Sequence, residues 1–143
     1  MPNFVCSAPL GRLMPVQKTA IAQKITDIHH EETGGARYMV EVIFHDLASP
    51  NIAGRPAPAD QICIRGDTRS GKTNEQKNQM VGRLMRDVAR ASGGSEEAVS
   101  VVLCELPAAN FVHYGRVVPA PGEEDAWFSS LPDALQERLR RLA

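Results

Sequence analysis

The sequence predicts an α/β (α+β) fold: two β-α-β units share one four-stranded sheet, both helices cover one face, and a C-terminal tail follows. Three observations predict it. Residues 2–47 lie on residues 61–106 without a gap, at a constant offset of 59 positions. Each copy reads as strand, helix, strand. Both helices stop at a Gly-Gly pair.

Matched positions are chemically alike. Gln17-Lys18 falls on Gln76-Lys77, Thr33-Gly34-Gly35 on Ser92-Gly93-Gly94, and Asp46-Leu47 on Glu105-Leu106. Residues 3–7 and 61–66 read as short buried strands around Phe4-Val5 and Ile62-Cys63-Ile64. In the first helix Pro15 sits near the start, and Ile21, Ile25 and Ile28 line one face. The second opens on a capping-box pattern, Thr73 with Gln76, and Met80, Val81, Leu84 and Val88 recur at helical spacing. Period-two alternation then gives strands through Tyr38, Val40, Val42 and Phe44, and through Val99, Val101 and Leu103. Each crossover is expected to be parallel and right-handed.

Residues 48–60, rich in Pro and Ala, read as the linker between units, and 107–143 as a tail outside the repeat. In the tail, Trp127-Phe128 forms an apolar anchor and Ser130 with Asp133 opens a last helix through Arg141, a structural rather than a chemical segment. All of it, 1–143, is expected to make one domain. The uncovered sheet face points to self-association.

With 43% hydrophobic residues in 143, the chain can build one real core. A net charge of −1 gives no broad electrostatic case for nucleic acid or an anionic membrane. No apolar run approaches a membrane span, and no basic-then-apolar start marks a secretory signal. Cys6, Cys63 and Cys104 stand singly, without a CxxC pair, so a reducing cytoplasm is expected. His29-His30-Glu31-Glu32 is not a chelate, because adjacent helix positions diverge by roughly 100°. No metal or cofactor is expected.

The chemistry begins at Pro2. Removal of the initiator Met1, normal before a small residue, leaves Pro2 as an N-terminal secondary amine. An α-amino group titrates at roughly 7.7–8.0 and burial lowers it, so an apolar pocket would hold this nitrogen neutral, ready to accept a proton. Thr68-Arg69-Ser70-Gly71-Lys72-Thr73 places two cations and a flexible glycine before a helix N-terminus, a combination suited to an anion. Arg12, between the first strand and helix, reads as a secondary anion contact. Gly66 through Gly71-Lys72-Thr73 also fits the phosphate-binding GxxxxGK[ST] pattern literally. The chain is short for a P-loop nucleotidase, and the duplication accounts for Gly66 as the partner of Ser7, so nucleotide binding ranks last.

Pro2 at the head of a duplicated β-α-β unit resembles the tautomerase superfamily, and within it the cis-3-chloroacrylic acid dehalogenase group. The likeness runs nearly end to end. It rests on Pro2, Ile25-Thr26-Asp27-Ile28-His29, Arg69-Ser70-Gly71-Lys72, Glu105-Leu106-Pro107, Tyr114-Gly115-Arg116 and Pro119-Ala120-Pro121-Gly122. The resemblance implies a homotrimer with Pro2 at the floor of each pocket as acid or base. It implies that His29 helps hold a small carboxylate substrate and that Arg69 and Lys72 grip its carboxylate.

The sequence departs from that group at three places. His113 stands where the group carries a water-activating glutamate, Val102 where it carries a tyrosine, and Lys72 where it carries an arginine. A lysine keeps the charge but loses the bidentate fork, and a neutral histidine at 113 can still act as a base near pH 7. These changes weigh against efficient dehalogenation of a 3-haloacrylate. Enol–keto exchange needs only Pro2 and carboxylate binding. The expected function is therefore acid–base catalysis by Pro2 on a small 2-oxo or unsaturated carboxylate, with hydration or dehalogenation as a weak side activity and His113 as a second polar wall. The alternative from another class is a non-catalytic trimer that binds a carboxylate.

Overall fold

The computed structural model describes residues 2–48 and 60–142. The interior of the linker placed at 48–60 lies outside the described residues, and so does Met1, with the expectation that it is removed.

The elements follow the repeat. The first unit holds β1 (Asn3–Pro9), α1 (Pro15–Thr33), a 3-10 turn (Arg37–Met39) and β2 (Glu41–Leu47). The second holds β3 (Ile62–Arg69), α2 (Asn74–Ser92), a 3-10 turn (Glu96–Ala98) and β4 (Val99–Leu106). Both helices and both turns begin and end at the offset of 59. The tail carries a two-stranded ribbon, β5 (Val112–His113) with β6 (Arg116–Val117), and then α3 (Glu124–Ser129) and α4 (Asp133–Arg140).

Local chemistry sets the helix ends. Gln17 Oε1 accepts a hydrogen bond from the Met14 amide at 2.8 Å, and Pro15 supplies a preset φ at the first helical position. The expected capping box closes α2: Thr73 Oγ1 accepts from Gln76 N at 3.1 Å, and Gln76 Oε1 accepts from Thr73 N at 2.9 Å. Gly34 and Gly93 end the two helices at φ of 69° and 68°, a left-handed region that an L side chain enters at a cost.

The sheet order is β2-β1-β3-β4. β1 runs parallel to β2 and β3 parallel to β4, as two crossovers demand, while β1 and β3 meet antiparallel in the centre with Val5 opposite Arg65. Alternate residues face the helices, and Phe4, Cys6, Ala8, Ile62 and Ile64 pack with Ile21, Ile25, Ile28, Leu84 and Val88 into one core spanning both units. The outer face carries a row across the sheet, Ile43, Val5, Arg65 and Val102, in which Ile43 and Val102 are exposed.

Several boundaries differ from the sequence reading: β1 and β3 run on to Pro9 and Arg69, and two starts move. Tyr38 belongs to a turn closed by Met39 N to Ala36 O and Val40 N to Arg37 O, so β2 starts only at Glu41. Ser130 does not cap the last helix. Its hydroxyl donates back to Trp127 O and closes α3, leaving Pro132 at the head of α4. The tail packs on its own chain, where Phe111, Val118 and Trp127 join Met39 in a second small core.

Gly66 sits in β3 at the centre of the sheet, where an added Cβ would stand 2.5 Å from Phe4 Cε1 and 2.8 Å from Leu103 Cδ2. Gly66→Ala is expected to cost about 2 kcal/mol through overpacking. Gly82 in α2 would meet only the mobile end of Arg86 at 3.2 Å, so Gly82→Ala should gain about 0.5–1 kcal/mol from helix propensity. Urea unfolding of both variants checks the opposite signs.

Candidate functional site

The antiparallel register carries Pro2 to the far end of β3. Asn3 pairs with Asp67, so Pro2 lies beside the segment where β3 runs out towards α2. Pro2 O accepts a hydrogen bond from Glu41 N at 3.1 Å, which fixes the residue on the β2 side as well. The ring of Pro2 is fully buried. It lines a cavity of about 150 Å³ together with His29, Thr33 and Tyr38 from the first unit and Arg69, Lys72 and Gln76 from the second.

Four of the six residues singled out in the sequence therefore meet in one place: Pro2, His29, Arg69 and Lys72. His29 is only 6% exposed, on the last turn but one of α1. Its ring stands edge-on to Phe4, with ring centres 6.5 Å apart. Gly35 makes room for it, since a Cβ there would come within 2.7 Å of His29 Cε1. Burial first, then the nearby Lys72 and Arg69 charges, push its pKa down to about 3. At neutral pH His29 is an uncharged imidazole.

Arg69 is held from the tail. Its Nη1 donates to Pro119 O at 2.6 Å and its Nη2 to Glu124 Oε1 at 2.6 Å. Burial acts to raise the Glu124 pKa, but the hydrogen bonds from Arg69 and from the Gly122 amide hold it below the usual carboxylate range. Lys72 Nζ donates to Arg69 O at 2.7 Å, and among the described residues no carboxylate lies within ion-pair distance of it. Burial lowers its pKa, against the pull of Glu105. Glu105 is itself engaged by Lys77 Nζ and by the Lys72 amide, both at 3.1 Å.

The other two residues lie elsewhere in the single chain. Arg12 donates to Ser92 O at 3.0 Å and to Asp60 O at 3.3 Å, joined by Gln17 Nε2 on the same Ser92 carbonyl. It satisfies the Ser92 carbonyl at the end of α2 and the Asp60 carbonyl ahead of β3, and it is not among the residues that line the cavity. His113 lines a second hollow with Glu41, Arg37 and Tyr114, and Tyr38 and Met39 border both this hollow and the Pro2 cavity. Burial lowers the His113 pKa as well. Val102 faces outward from the sheet.

Sequence reasoning missed Tyr38, Thr33 and Glu124. Glu124 comes from the tail, which read as structure alone, and no sequence pattern ties it to Arg69, 55 positions away. The phosphate-loop pattern does not form a loop: Gly66–Arg69 lie inside β3, and Gly66 is explained by its contact with Phe4. No group of metal-ligating side chains occurs among the described residues, and none of their helices is long and apolar enough to cross a membrane.

Residues 1–130 match the profile of a family described as putative oxalocrotonate tautomerase enzyme. The chain is 35% identical to the crystal structure of N1, a member of the cis-3-chloroacrylic acid dehalogenase family, over 97% of this chain and 99% of that one, with a TM-score of 0.90. A fused 4-OT described as a symmetric trimer superposes with a TM-score of 0.72 at 20% identity, covering 81% of this chain and 94% of its own. A malonate semialdehyde decarboxylase inhibited by 3-bromopropiolate superposes at 0.71 with 15% identity, covering 90% and 98%. These last two share the fold alone. No curated protein matches the chain.

The depressed His29 pKa has a stability consequence. Below an unfolded-state pKa near 6.5 the unfolded chain takes up a proton that the folded chain refuses, so stability falls as pH drops towards 3. This residue's share of the loss approaches about 4 kcal/mol at the lower limit. Denaturant unfolding of the wild type and His29→Gln across that range should show a shallower decline in the variant.

Proposed function

The chain belongs to the tautomerase superfamily, in the family of putative oxalocrotonate tautomerase enzymes, and from that premise we propose that Pro2 performs acid–base catalysis on a small 2-oxo or unsaturated carboxylate. The observation that carries the reading is the convergence of a fully buried Pro2 with Arg69, Lys72 and a neutral His29 on one small cavity.

With Met1 removed, the Pro2 nitrogen is a secondary amine in a desolvated site, which favours its neutral, basic form. Arg69 and Lys72 hold the substrate carboxylate. Pro2 takes the proton of the enol hydroxyl as the C=O forms, and the resulting ammonium returns a proton to carbon. No atom is gained or lost. His29, uncharged, offers a ring N–H to the substrate oxygen, orienting and polarising it without adding a competing charge. Hydration of a 3-haloacrylate would need a base for water. His113, in the hollow that adjoins the Pro2 cavity along Tyr38 and Met39, is the candidate for a minor activity of that kind. The protein acts as a homotrimer in the cytoplasm, and the exposed apolar residues Ile43 and Val102 on the outer sheet face support self-association.

Exposure of the native protein to a 3-halopropiolate, followed by peptide mass spectrometry, should find one adduct, on a methionine-free Pro2. Pro2→Ala, with its terminus verified in the same way, should lose most turnover of an enol substrate, about 10²-fold or more as for removal of a general base. A terminus that still carries Met1, or full activity in Pro2→Ala, overturns the mechanism. Carboxylate binding without turnover in the wild type replaces it with a binding protein.

A further inference from the structure

The cations of the cavity are unequal. Arg69 is matched by Glu124, whose Oε1 lies 2.6 Å from Nη2, and its second terminal nitrogen is taken up by Pro119 O. The Arg69 side chain is 18% exposed and that of Glu124 36%, so the pair is partly shielded from water, chiefly on the Arg69 side. Glu124 is in turn fixed by the Gly122 amide, which donates to its Oε2 at 2.7 Å. Lys77 and Glu105 cancel one another nearby. His29 is uncharged at neutral pH. Lys72 alone is left without a carboxylate among the described residues, its ammonium tied only to the carbonyl of Arg69. The site presents the hydrogen-bond donors of two cations but the net charge of one.

From this balance, and resting on the carboxylate-pocket reading above, we infer that Glu124 is a specificity-determining residue that restricts the cavity to monoanionic carboxylates. A single carboxylate meets Lys72 and the remaining N–H groups of Arg69 and leaves the cavity neutral. A dianion brings a second negative charge into a small, partly desolvated space whose lining already includes the Glu124 carboxylate. Like charges at such separations repel by energies that matter when water is excluded. Glu124 also holds Arg69 in one orientation, so the guanidinium cannot swing to meet a second carboxylate.

Titration calorimetry with 2-oxobutanoate and 2-oxoglutarate, one a monoanion and the other a dianion with the same 2-oxo acid head, tests the inference. Wild-type protein should prefer 2-oxobutanoate. In Glu124→Gln, which keeps an oxygen to accept from Arg69 but removes the charge, the ratio of the two dissociation constants should move towards the dianion by about tenfold, equivalent to about 1.4 kcal/mol. Glu123→Gln is the control, because Glu123 is exposed next door and makes the same change in net charge. A shift of equal size in both variants overturns the inference, since net charge alone would then explain it. A wild-type preference for 2-oxoglutarate overturns it without any variant. If wild type binds neither ligand, the carboxylate-pocket reading falls, and this inference with it. Binding of both ligands with an unmoved ratio in Glu124→Gln sinks only the role of Glu124.

Discussion

The antiparallel pairing of β1 with β3 is the contact on which everything else rests. Each β-α-β unit by itself is a two-stranded parallel piece with one helix, too small to bury Phe4, Ile25, Ile62 and Leu84 on its own. The central pairing joins the halves into one sheet beneath one helical layer. Its register also makes the site. Because Asn3 lies against Asp67, the start of the first strand and the end of the third meet at the same edge, and the residue before the one faces the residues after the other. Pro2 and the Arg69–Lys72 segment are neighbours for no other reason.

That register has an approximate two-fold axis, so the same geometry recurs at the opposite end of the sheet, with different residues in it. Offset by 59 positions, Gln61 stands for Pro2, Val88 for His29, Leu10 for Arg69 and Leu13 for Lys72. Proline, imidazole and both cations are gone. The corresponding space holds the Arg12 side chain, which with Gln17 ties off the Ser92 carbonyl, and a Cβ on Gly94 would stand 2.6 Å from its Nη2. Duplication thus produced two equivalent ends, and side-chain chemistry kept one as a cavity and closed the other with hydrogen bonds. The role first read into Arg12, an anion contact, followed from its charge and loop position. The structure places that charge against the last carbonyl of α2, at Ser92, and the Asp60 carbonyl ahead of β3.

What the sequence made legible of the fold follows from this symmetry. A gap-free repeat located both helices and fixed their limits, since a boundary that is ambiguous in one copy is marked in the other: the capping box at Thr73 is plain where the start at Pro15 is not. The repeat does not mark the site: Pro2, Arg69 and Lys72 stand out by their own chemistry, at the chain start and before a helix, and His29 only through the family resemblance. The tail has no second copy to compare. Its packing is set by tertiary contacts of single aromatic residues, such as Trp127 Nε1 donating to Val117 O at 2.8 Å, and by the turn at Tyr114-Gly115, where both residues adopt positive φ. Glu124 reaches Arg69 only after that packing is complete, so no local pattern announces it.

The electrostatics of the site follow from where each charge finds a partner. A cavity with two bare cations beside a buried amine would depress that amine strongly and would also be unstable as an empty site, because like charges in a poorly solvated space repel. Glu124 removes one charge without removing the donors of Arg69, and burial leaves His29 neutral. What remains is a single cation at Lys72, beside the Arg69 guanidinium and the neutral His29 ring. The arrangement lets one pocket meet two demands that oppose each other. On the proposed function, it would be positive enough to draw in a carboxylate, yet close enough to neutral once that carboxylate is bound for a proton to move between nitrogen, oxygen and carbon without crossing a large field.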